Sequence, residues 1–200
     1  ACTIDNHKEE YTLKLDGVFG HNHIYAALAA LALADQLDIP SKDAVRALGE
    51  YDAPPGRMKP VPGIDGSLIL DDTYNASPLG VETALELLTR IKAAGKKIAV
   101  LGDMLELGKY TEDAHKQIGA KAKESADVLV AVGKRSRAIV LGAKDAGMPE
   151  ENIFYFDTSR EAGEFLKTII RRSDIILIKG SQGVRMERAV EAIMADPGDK

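Results

Sequence analysis

The sequence predicts a doubly wound α/β domain with a mostly parallel sheet, preceded by a smaller and mainly helical region. From residue 67 onward, five short apolar runs alternate with stretches of helical periodicity. The runs are continuously hydrophobic and rich in Ile, Val and Leu, which is typical of strands that are covered on both faces. Strands that alternate with helices form parallel sheets, so the two observations together predict this fold class.

The apolar runs and the capping signals between them give the expected elements. Ser77 followed by Pro78 is an N-cap with Pro at the first helical position, and Thr158 with Glu161 has the spacing of a capping box. We therefore expect helices to begin directly after Ser77 and Thr158. The predicted strands are residues 67–70, 97–101, 127–132, 152–156 and 174–178.

The beginning of the chain differs from the rest. An Ala-rich helix is expected at about residues 21–37, followed by a shorter helix that Ser41 caps. This segment has too little apolar surface to fold alone, which suggests the tail of another domain. Residues 53–63 contain four prolines and two glycines, and this composition favours a stiff linker or hinge.

Composition and charge exclude several classes of protein. The chain has 200 residues, of which 45% are hydrophobic and 28% charged, so it can bury a core. A net charge of -5 argues against binding to a phosphate backbone, and we expect no nucleic-acid partner. The longest apolar run, residues 24–34, is too short to cross a bilayer, and the start of the sequence lacks the pattern of a signal peptide. The single cysteine, Cys2, excludes an internal disulfide, so we expect a cytoplasmic protein with no membrane partner.

Four of the five predicted strands end in polar side chains. In an open parallel sheet, ligands bind at the carboxyl ends of the strands, where helix N-termini also point their free N–H groups. The residues alone therefore predict a site for a small anionic or zwitterionic ligand at this edge. The polar strand ends are residues 71–75, 102–104, 133–136 and 179–183.

Each polar residue at this edge also has a structural interpretation. Adjacent strand residues point to opposite faces, so Asp71 and Asp72 are not both expected to serve one ligand, and one of them can cap. Asp103 fits a ligand contact and the closure of a Gly-Asp turn equally well. Lys179, at the end of a buried strand, can receive an anion or extend into water. Ser77 is expected only to cap its helix.

Several common motifs are absent from the sequence. The Gly133-Lys134 pair does not form a phosphate-binding P-loop, because Val128 stands where that motif needs its first glycine. No G-x-G-x-x-G follows the first predicted strand, and the four histidines have no metal-like spacing with carboxylates. We therefore expect neither a P-loop, nor a dinucleotide fold, nor a metal site in this chain.

Five segments carry a resemblance to a known family. In the order and approximate spacing of a Mur ligase, the chain contains FGHNHIYAALAALALA, PPGRM, LILDDTYNASP, VLGDMLELG with the later His115, and LIKGSQG. The resemblance covers residues 20–194. It is strongest to the branch that adds D-alanyl-D-alanine to UDP-N-acetylmuramoyl-tripeptide, because DDTYNASP and LGDMLELG separate that branch from its sister ligases.

The resemblance implies an ATP-dependent peptide ligase of peptidoglycan precursor synthesis. In that family one domain holds the UDP-sugar, a central domain carries the ATP P-loop, and a C-terminal α/β domain closes over the nucleotide. Residues 1–57 would be the end of the central domain, and residues 58–200 the C-terminal domain. The implied cofactors are ATP and Mg2+, with the magnesium ligands mainly outside this chain. We expect the chain alone to be inactive, and to be a monomer whose partners are small-molecule substrates.

The resemblance also assigns roles to residues of this chain. Arg57 would contact the nucleotide phosphates, Asp72 would accept hydrogen bonds from the ribose hydroxyls, and Asn22 would lie near the adenine. Arg57 and Asn75 are the catalytic candidates, with the Asn75 amide near the reacting centre. The candidates for binding the dipeptide D-alanyl-D-alanine are Asn75, Asp103, Lys179, Ser181 and Gln182.

Two residues depart from the family pattern. Tyr25 stands where the family usually has a second asparagine, and Gln182 stands where it commonly has an arginine. The adenine contact and the charge preference for the dipeptide are the properties that these two changes affect.

The Pro-rich segment has a role under the ligase interpretation. Since Arg57 lies within this segment, we hypothesise that rotation of the C-terminal domain carries Arg57 and Asp72 onto ATP. Two alternatives to this ligase remain open. One is a non-catalytic module that holds a nucleotide or a dipeptide for a partner, and the other is a sister Mur ligase that adds a single amino acid.

Overall fold

The computed structural model of the protein describes residues 2–5, 10–15, 18–20 and 22–196. The chain forms two compact units, Ala1–Pro54 and Pro55–Lys200. The boundary expected from the sequence follows Arg57, whereas the structure groups Arg57 with the second unit. Across the described stretches, every helix is too short or too polar to span a lipid bilayer.

The first unit contains a hairpin and two helices. Strand β1 (Cys2–Asp5) pairs antiparallel with β2 (Glu10–Leu13), and helices α1 (Asn22–Gln36) and α2 (Ser41–Gly49) follow. The hairpin was not predicted, because strands of four residues leave little periodicity to recognise. The prediction that Ser41 caps the second helix is wrong, since Pro40 occupies the N-cap position and Ser41 is the first helical residue.

The second unit is built on a six-stranded sheet with the order β3-β4-β8-β5-β6-β7. All neighbouring strands are parallel except β3 and β4, which are antiparallel. The mostly parallel sheet confirms the predicted fold class. The strands are β3 (Lys59–Pro62), β4 (Leu68–Asp72), β5 (Lys97–Gly102), β6 (Val128–Val132), β7 (Ile153–Phe156) and β8 (Ile175–Lys179).

Helices cover both faces of this sheet. Those of the second unit are α3 (Pro78–Arg90), α4 (Thr111–Ser125), α5 (Arg137–Asp145), α6 (Ser159–Ile169) and α7 (Glu187–Ile193). Helices α6 and α7 pack on one face, where Leu166 and Ile193 join Val100 and Ile176 in one buried cluster. Because neighbouring strand residues point to opposite faces, buried residues such as Leu101 point to helices α3 to α5 on the other face.

Two of these helices begin as the sequence predicts. The Ser77 hydroxyl accepts a hydrogen bond from the Gly80 amide at 3.2 Å, and Pro78 is the first residue of α3. Thr158 and Glu161 form the full capping box at the start of α6. Both capping predictions are confirmed.

The Pro-rich segment is only partly a connection. Its residues Lys59–Pro62 form the edge strand β3, so the linker prediction is wrong for this part. An edge strand tolerates Pro60 and Pro62, because one side of such a strand has no partner to receive an N–H group. Because of these two prolines, the sequence pattern did not indicate strand β3.

Strand order creates a switch point at the carboxyl edge of the sheet. Strand β8 lies between β4 and β5 and is followed by α7 on one face. Helices α3 and α4 follow β4 and β5 on the opposite face. Ligands of open α/β sheets bind in crevices of this kind, where the helices that follow neighbouring strands lie on opposite faces of the sheet. The ends of β4, β8 and β5 therefore form the most favourable binding position of the fold.

Candidate functional site

The ends of β4 and β8 are joined by an ion pair. Asp72 and Lys179 are neighbours in the parallel register, and the Lys179 Nζ lies 2.6 Å from the Asp72 Oδ2. The same ammonium donates a hydrogen bond to the backbone oxygen of Asn75 at 2.8 Å. Three of the predicted site residues are thus brought together at the switch point.

Lys179 is buried, with 6% of its surface exposed. The alternative that its ammonium extends into water is therefore wrong. A charge taken out of water is tolerated only when it is paired and hydrogen-bonded, and Asp72 and the Asn75 carbonyl meet this requirement. In this arrangement Lys179 fixes two strand ends in place.

Asp71 has the capping role that the sequence left open for one of the two aspartates. Its buried carboxylate accepts hydrogen bonds from the Thr73 amide at 3.2 Å, the Thr73 hydroxyl at 2.7 Å and the Gly56 amide at 2.9 Å. Asp72 points to the other side of the strand, as alternation requires. Its Oδ1 accepts a hydrogen bond from the Met58 amide at 3.2 Å.

The two aspartates together hold the short loop that carries Arg57. The amides of Gly56 and Met58, on either side of Arg57, are bonded to Asp71 and Asp72. The Tyr74 amide completes the attachment by donating to the Gly56 oxygen at 3.1 Å. The loop is therefore anchored at three points to the end of β4, and Arg57 is presented from a fixed backbone.

The Arg57 side chain is exposed and lies over an aromatic ring. Its guanidinium carbon is 3.9 Å from the centre of the Tyr74 ring. Asn75, the next residue, is also exposed, and its Oδ1 accepts a hydrogen bond from the Ala76 amide at 2.8 Å. A cation and an amide thus face solvent beside the switch point.

Asp103, at the end of β5, closes a turn. Its buried Oδ1 accepts hydrogen bonds from the Ser136 amide at 2.7 Å and the Ser136 hydroxyl at 2.9 Å. The Arg135 guanidinium lies 3.6 Å from its other carboxylate oxygen. These bonds close the turn that follows β6 and join it to the end of β5, which is not the local Gly-Asp turn that the sequence offered, and a ligand contact by Asp103 stays a prediction.

Ser181 links the ends of β8 and β5. Its amide donates to the Asp103 backbone oxygen at 3.0 Å, and its hydroxyl accepts from the Leu105 amide at 3.0 Å. Gln182 follows at the start of a short 3-10 turn and is exposed. Asn22 begins α1, and its side chain lies outside the described residues.

His115 holds the backbone that directly follows β5 at the same edge of the sheet. Its Nε2 lies 3.0 Å from the Met104 amide, and its Nδ1 lies 2.6 Å from the Thr111 backbone oxygen. Since Nε2 must accept a hydrogen bond from an N–H group, Nδ1 carries the proton and the ring is neutral. Burial lowers the pKa of His115 below 6.5, and this effect outweighs the bond to Thr111, which raises it. The sequence placed His115 in a motif but gave no sign of this contact.

An open, mostly parallel sheet that gathers charged side chains at a switch point is typical of ligand-binding α/β domains. Residues 56–182 match the family described as Mur ligase, glutamate ligase domain. This match covers more than half of the chain, and the chain belongs to the Mur ligase family. The resemblance carried by its five motifs is confirmed.

Its relatives are considerably longer proteins. The UDP-N-acetylmuramoyl-tripeptide--D-alanyl-D-alanine ligase of Escherichia coli (strain K12) is 33% identical, over 95% of this chain and 42% of its own length. The ligase of the same name from Bacillus subtilis (strain 168) is 29% identical, over 90% of this chain and 39% of its own length. The crystal structure of MurF ligase from Thermotoga maritima in complex with ADP is 28% identical, with a TM-score of 0.75, over 92% of this chain and 40% of that one. The chain thus spans about two fifths of the length of these relatives.

Proposed function

We propose that this chain is the C-terminal part of an ATP-dependent ligase that joins D-alanyl-D-alanine to UDP-N-acetylmuramoyl-tripeptide. Membership of the Mur ligase family and the names of the relatives support the proposal. The observation that carries it is the anchored Arg57 loop, which Asp72 connects to Lys179 at the switch point. This arrangement gathers an exposed cation, a carboxylate and an amide where the fold binds ligands.

The residues present fit one side of a nucleotide site. ATP would supply the phosphoryl group that activates the peptide carboxylate. The Arg57 guanidinium stays charged at any relevant pH and its fork matches phosphate oxygens, so it can neutralise charge that develops during transfer. An ionised carboxylate offers about four acceptor positions, so Asp72 can accept from ribose hydroxyls while it remains bonded to Met58 and Lys179.

The candidates for dipeptide binding divide into two groups. Asn75 and Gln182 are exposed and available for direct contact with a substrate. Lys179, Ser181 and Asp103 are buried and bonded within the strand ends, and direct substrate contacts by them stay predictions. Their bonds instead favour a role in fixing the shape of the surface on which the substrate lies.

Magnesium is assigned to a different part of the enzyme. Within the described ranges, no group of three His, Cys, Asp or Glu side chains could hold a metal ion. The proposal keeps the expectation from the resemblance that the Mg2+ ligands lie mainly outside this chain. A monomer remains part of the proposal as what the resemblance implies, and a cytoplasmic location remains part of it on the grounds of the single cysteine given above.

The test is the Arg57→Ala variant of the full-length protein that carries this chain. Release of phosphate from ATP is measured with UDP-N-acetylmuramoyl-tripeptide and D-alanyl-D-alanine. We expect turnover to fall by at least about a hundredfold, since removal of one preorganised electrostatic contact has an effect of that order. The melting temperature should change little, because the Arg57 side chain is exposed.

Arg172→Ala is the matched control. Arg172 is equally an exposed arginine, but it precedes β8 and so lies at the opposite, amino edge of the sheet. Unchanged turnover in Arg57→Ala would refute the proposed role of the loop. Turnover that requires the dipeptide would support this ligase, whereas a sister that adds one amino acid would turn over only with its own UDP-linked substrate and a single amino acid. Absence of turnover with every such pair would favour a binding module.

A further inference from the structure

The backbone around Arg57 has an unusual conformation. Gly56 has a φ of 76° and Met58 a φ of 54°, so both neighbours of Arg57 lie in the left-handed region. A Cβ atom on Gly56 would lie 2.9 Å from the Tyr74 nitrogen, which leaves room only for glycine. Met58 has a side chain that disfavours this region, and such a conformation persists only where several contacts determine it. The bonds to Asp71, Asp72 and Tyr74 are these contacts.

A fixed backbone does not by itself fix the guanidinium. Arginine has a long side chain with large rotamer entropy, and an exposed one samples many orientations. The Tyr74 ring restrains the guanidinium, because it lies face-on 3.9 Å from the guanidinium carbon. The Tyr74 backbone is held by its bond to the Gly56 oxygen, in the same loop contact.

We propose that Tyr74 is a positioning residue that holds the Arg57 guanidinium over the end of β4 by a cation–π contact. The effect of Tyr74 on turnover rests on the proposed function, whereas the positioning of Arg57 by Tyr74 does not. Contact through the ring face does not require the hydroxyl, so phenylalanine should replace tyrosine without loss. Leucine, of similar bulk but without π electrons, should not.

The chain contains a second pair of the same composition, which serves as a matched control. The Arg137 guanidinium lies 5.1 Å from the centre of the Tyr155 ring. Here the hydroxyl takes part, since it accepts a bond from the Arg137 Nε at 3.1 Å and donates to Asp157 at 2.6 Å. Tyr155→Leu therefore removes a second arginine–tyrosine contact, with a half-buried ring, that lies outside the candidate site.

The first experiment observes the arginine itself. The order of the Arg57 Nε–H group is measured by nitrogen-15 relaxation in the 200-residue chain and in its Tyr74→Phe, Tyr74→Leu and Tyr155→Leu variants. We expect Arg57 to become mobile only in Tyr74→Leu. Equal order of Arg57 in Tyr74→Leu and in the parent chain would overturn the inference, whatever the function of the protein.

The second experiment is a double-mutant cycle in the full-length protein. If Tyr74 acts through Arg57, Tyr74→Leu should lower kcat/KM for ATP by about two- to fivefold, the change expected for an exposed cation–π contact. Tyr74→Phe should leave it unchanged, and adding Tyr74→Leu to Arg57→Ala should have no further effect. Multiplying effects would mean that Tyr74 contacts the substrate directly and would overturn the inference. A loss of Arg57 order in Tyr74→Leu without any effect of Arg57→Ala on turnover would leave the positioning intact and refute the proposed function.

Discussion

At the scale of single residues, Lys179 is the cation on which the candidate site is organised. Its ammonium binds Asp72 on one side and the Asn75 carbonyl on the other, at the junction of two strands. Removal of one member of a buried ion pair leaves the other charge without compensation. We therefore expect Lys179→Met to lower the free energy of unfolding by about 3 kcal/mol, measured by urea denaturation.

The Lys167–Glu164 pair provides the comparison for this prediction. Its atoms are 2.8 Å apart, but both side chains are largely exposed, and Lys167→Met should cost less than about 1 kcal/mol. Adding Asp72→Asn to Lys179→Met should restore part of the lost stability, because it removes the uncompensated carboxylate. The prediction fails if the two lysine variants are equally stable.

The Asp72–Lys179 pair shows what the sequence could and could not predict about the site. Asp72 and Lys179 were both recognised from their places at strand ends. Their bond was not, because the partners are 107 residues apart and meet only through the order of β4 and β8 in the sheet. The contact between Arg57 and Tyr74 was not predicted for a related reason, since it depends on a loop whose backbone conformation no local pattern indicates.

At the scale of elements, the sequence predicted the strands that have an uninterrupted apolar run. Strands β4 to β8 were found within a few residues, because strands that are covered on both faces read as continuous apolar runs. Strand β3 was missed because it lies at the edge and contains two prolines, which normally argue against a strand. Strand β7 lies at the opposite edge and was found, because its apolar run contains no proline, so the prolines of β3 are the reason that it was missed.

Helices α4 and α5 make a contact that depends on glycine. The backbone of Ile139 lies directly against Gly119, and the backbone of Lys116 lies directly against Gly142. A Cβ atom at either glycine would overlap a carbonyl oxygen of the other helix, which cannot move without displacing the helix itself. We expect Gly119→Ala and Gly142→Ala each to lower the free energy of unfolding by about 3 kcal/mol, measured by thermal and urea denaturation.

Gly80→Ala is the control for these two substitutions. Gly80 also lies in a helix, α3, but the nearest atom to its Cβ position is the Ser77 hydroxyl oxygen at 3.1 Å, which belongs to a small side chain. Alanine is favoured over glycine within a helix by about 1 kcal/mol, so this variant should be nearly neutral or slightly more stable. Equal losses at all three positions would show that close packing of α4 on α5 is not the cause.

At the scale of the whole molecule, the candidate site depends on His115, a buried histidine whose pKa burial lowers below 6.5. His115 is fully buried and holds the Met104 amide directly after β5. In its neutral form it accepts this bond, and protonation would turn the acceptor into a donor that faces another donor. The stability of the fold and the shape of the site edge are therefore coupled to the same proton.

The direction of this pH dependence follows from the lowered pKa of His115. Burial holds the pKa below 6.5 in the folded chain, so the unfolded chain takes up the proton first as the pH falls. Stability contributed by neutral His115 is complete above about pH 7 and is lost as the pH falls from there towards the folded-state pKa, by at most about 1.4 kcal/mol per pH unit.

His115→Gln keeps a side-chain acceptor for the Met104 amide but does not titrate. Urea denaturation between pH 5 and pH 7.5 should therefore give a flatter dependence in His115→Gln than in the parent chain, whose other titrating groups are the same. Identical slopes for the two proteins would mean that His115 takes up its proton equally well folded and unfolded, and would remove the coupling.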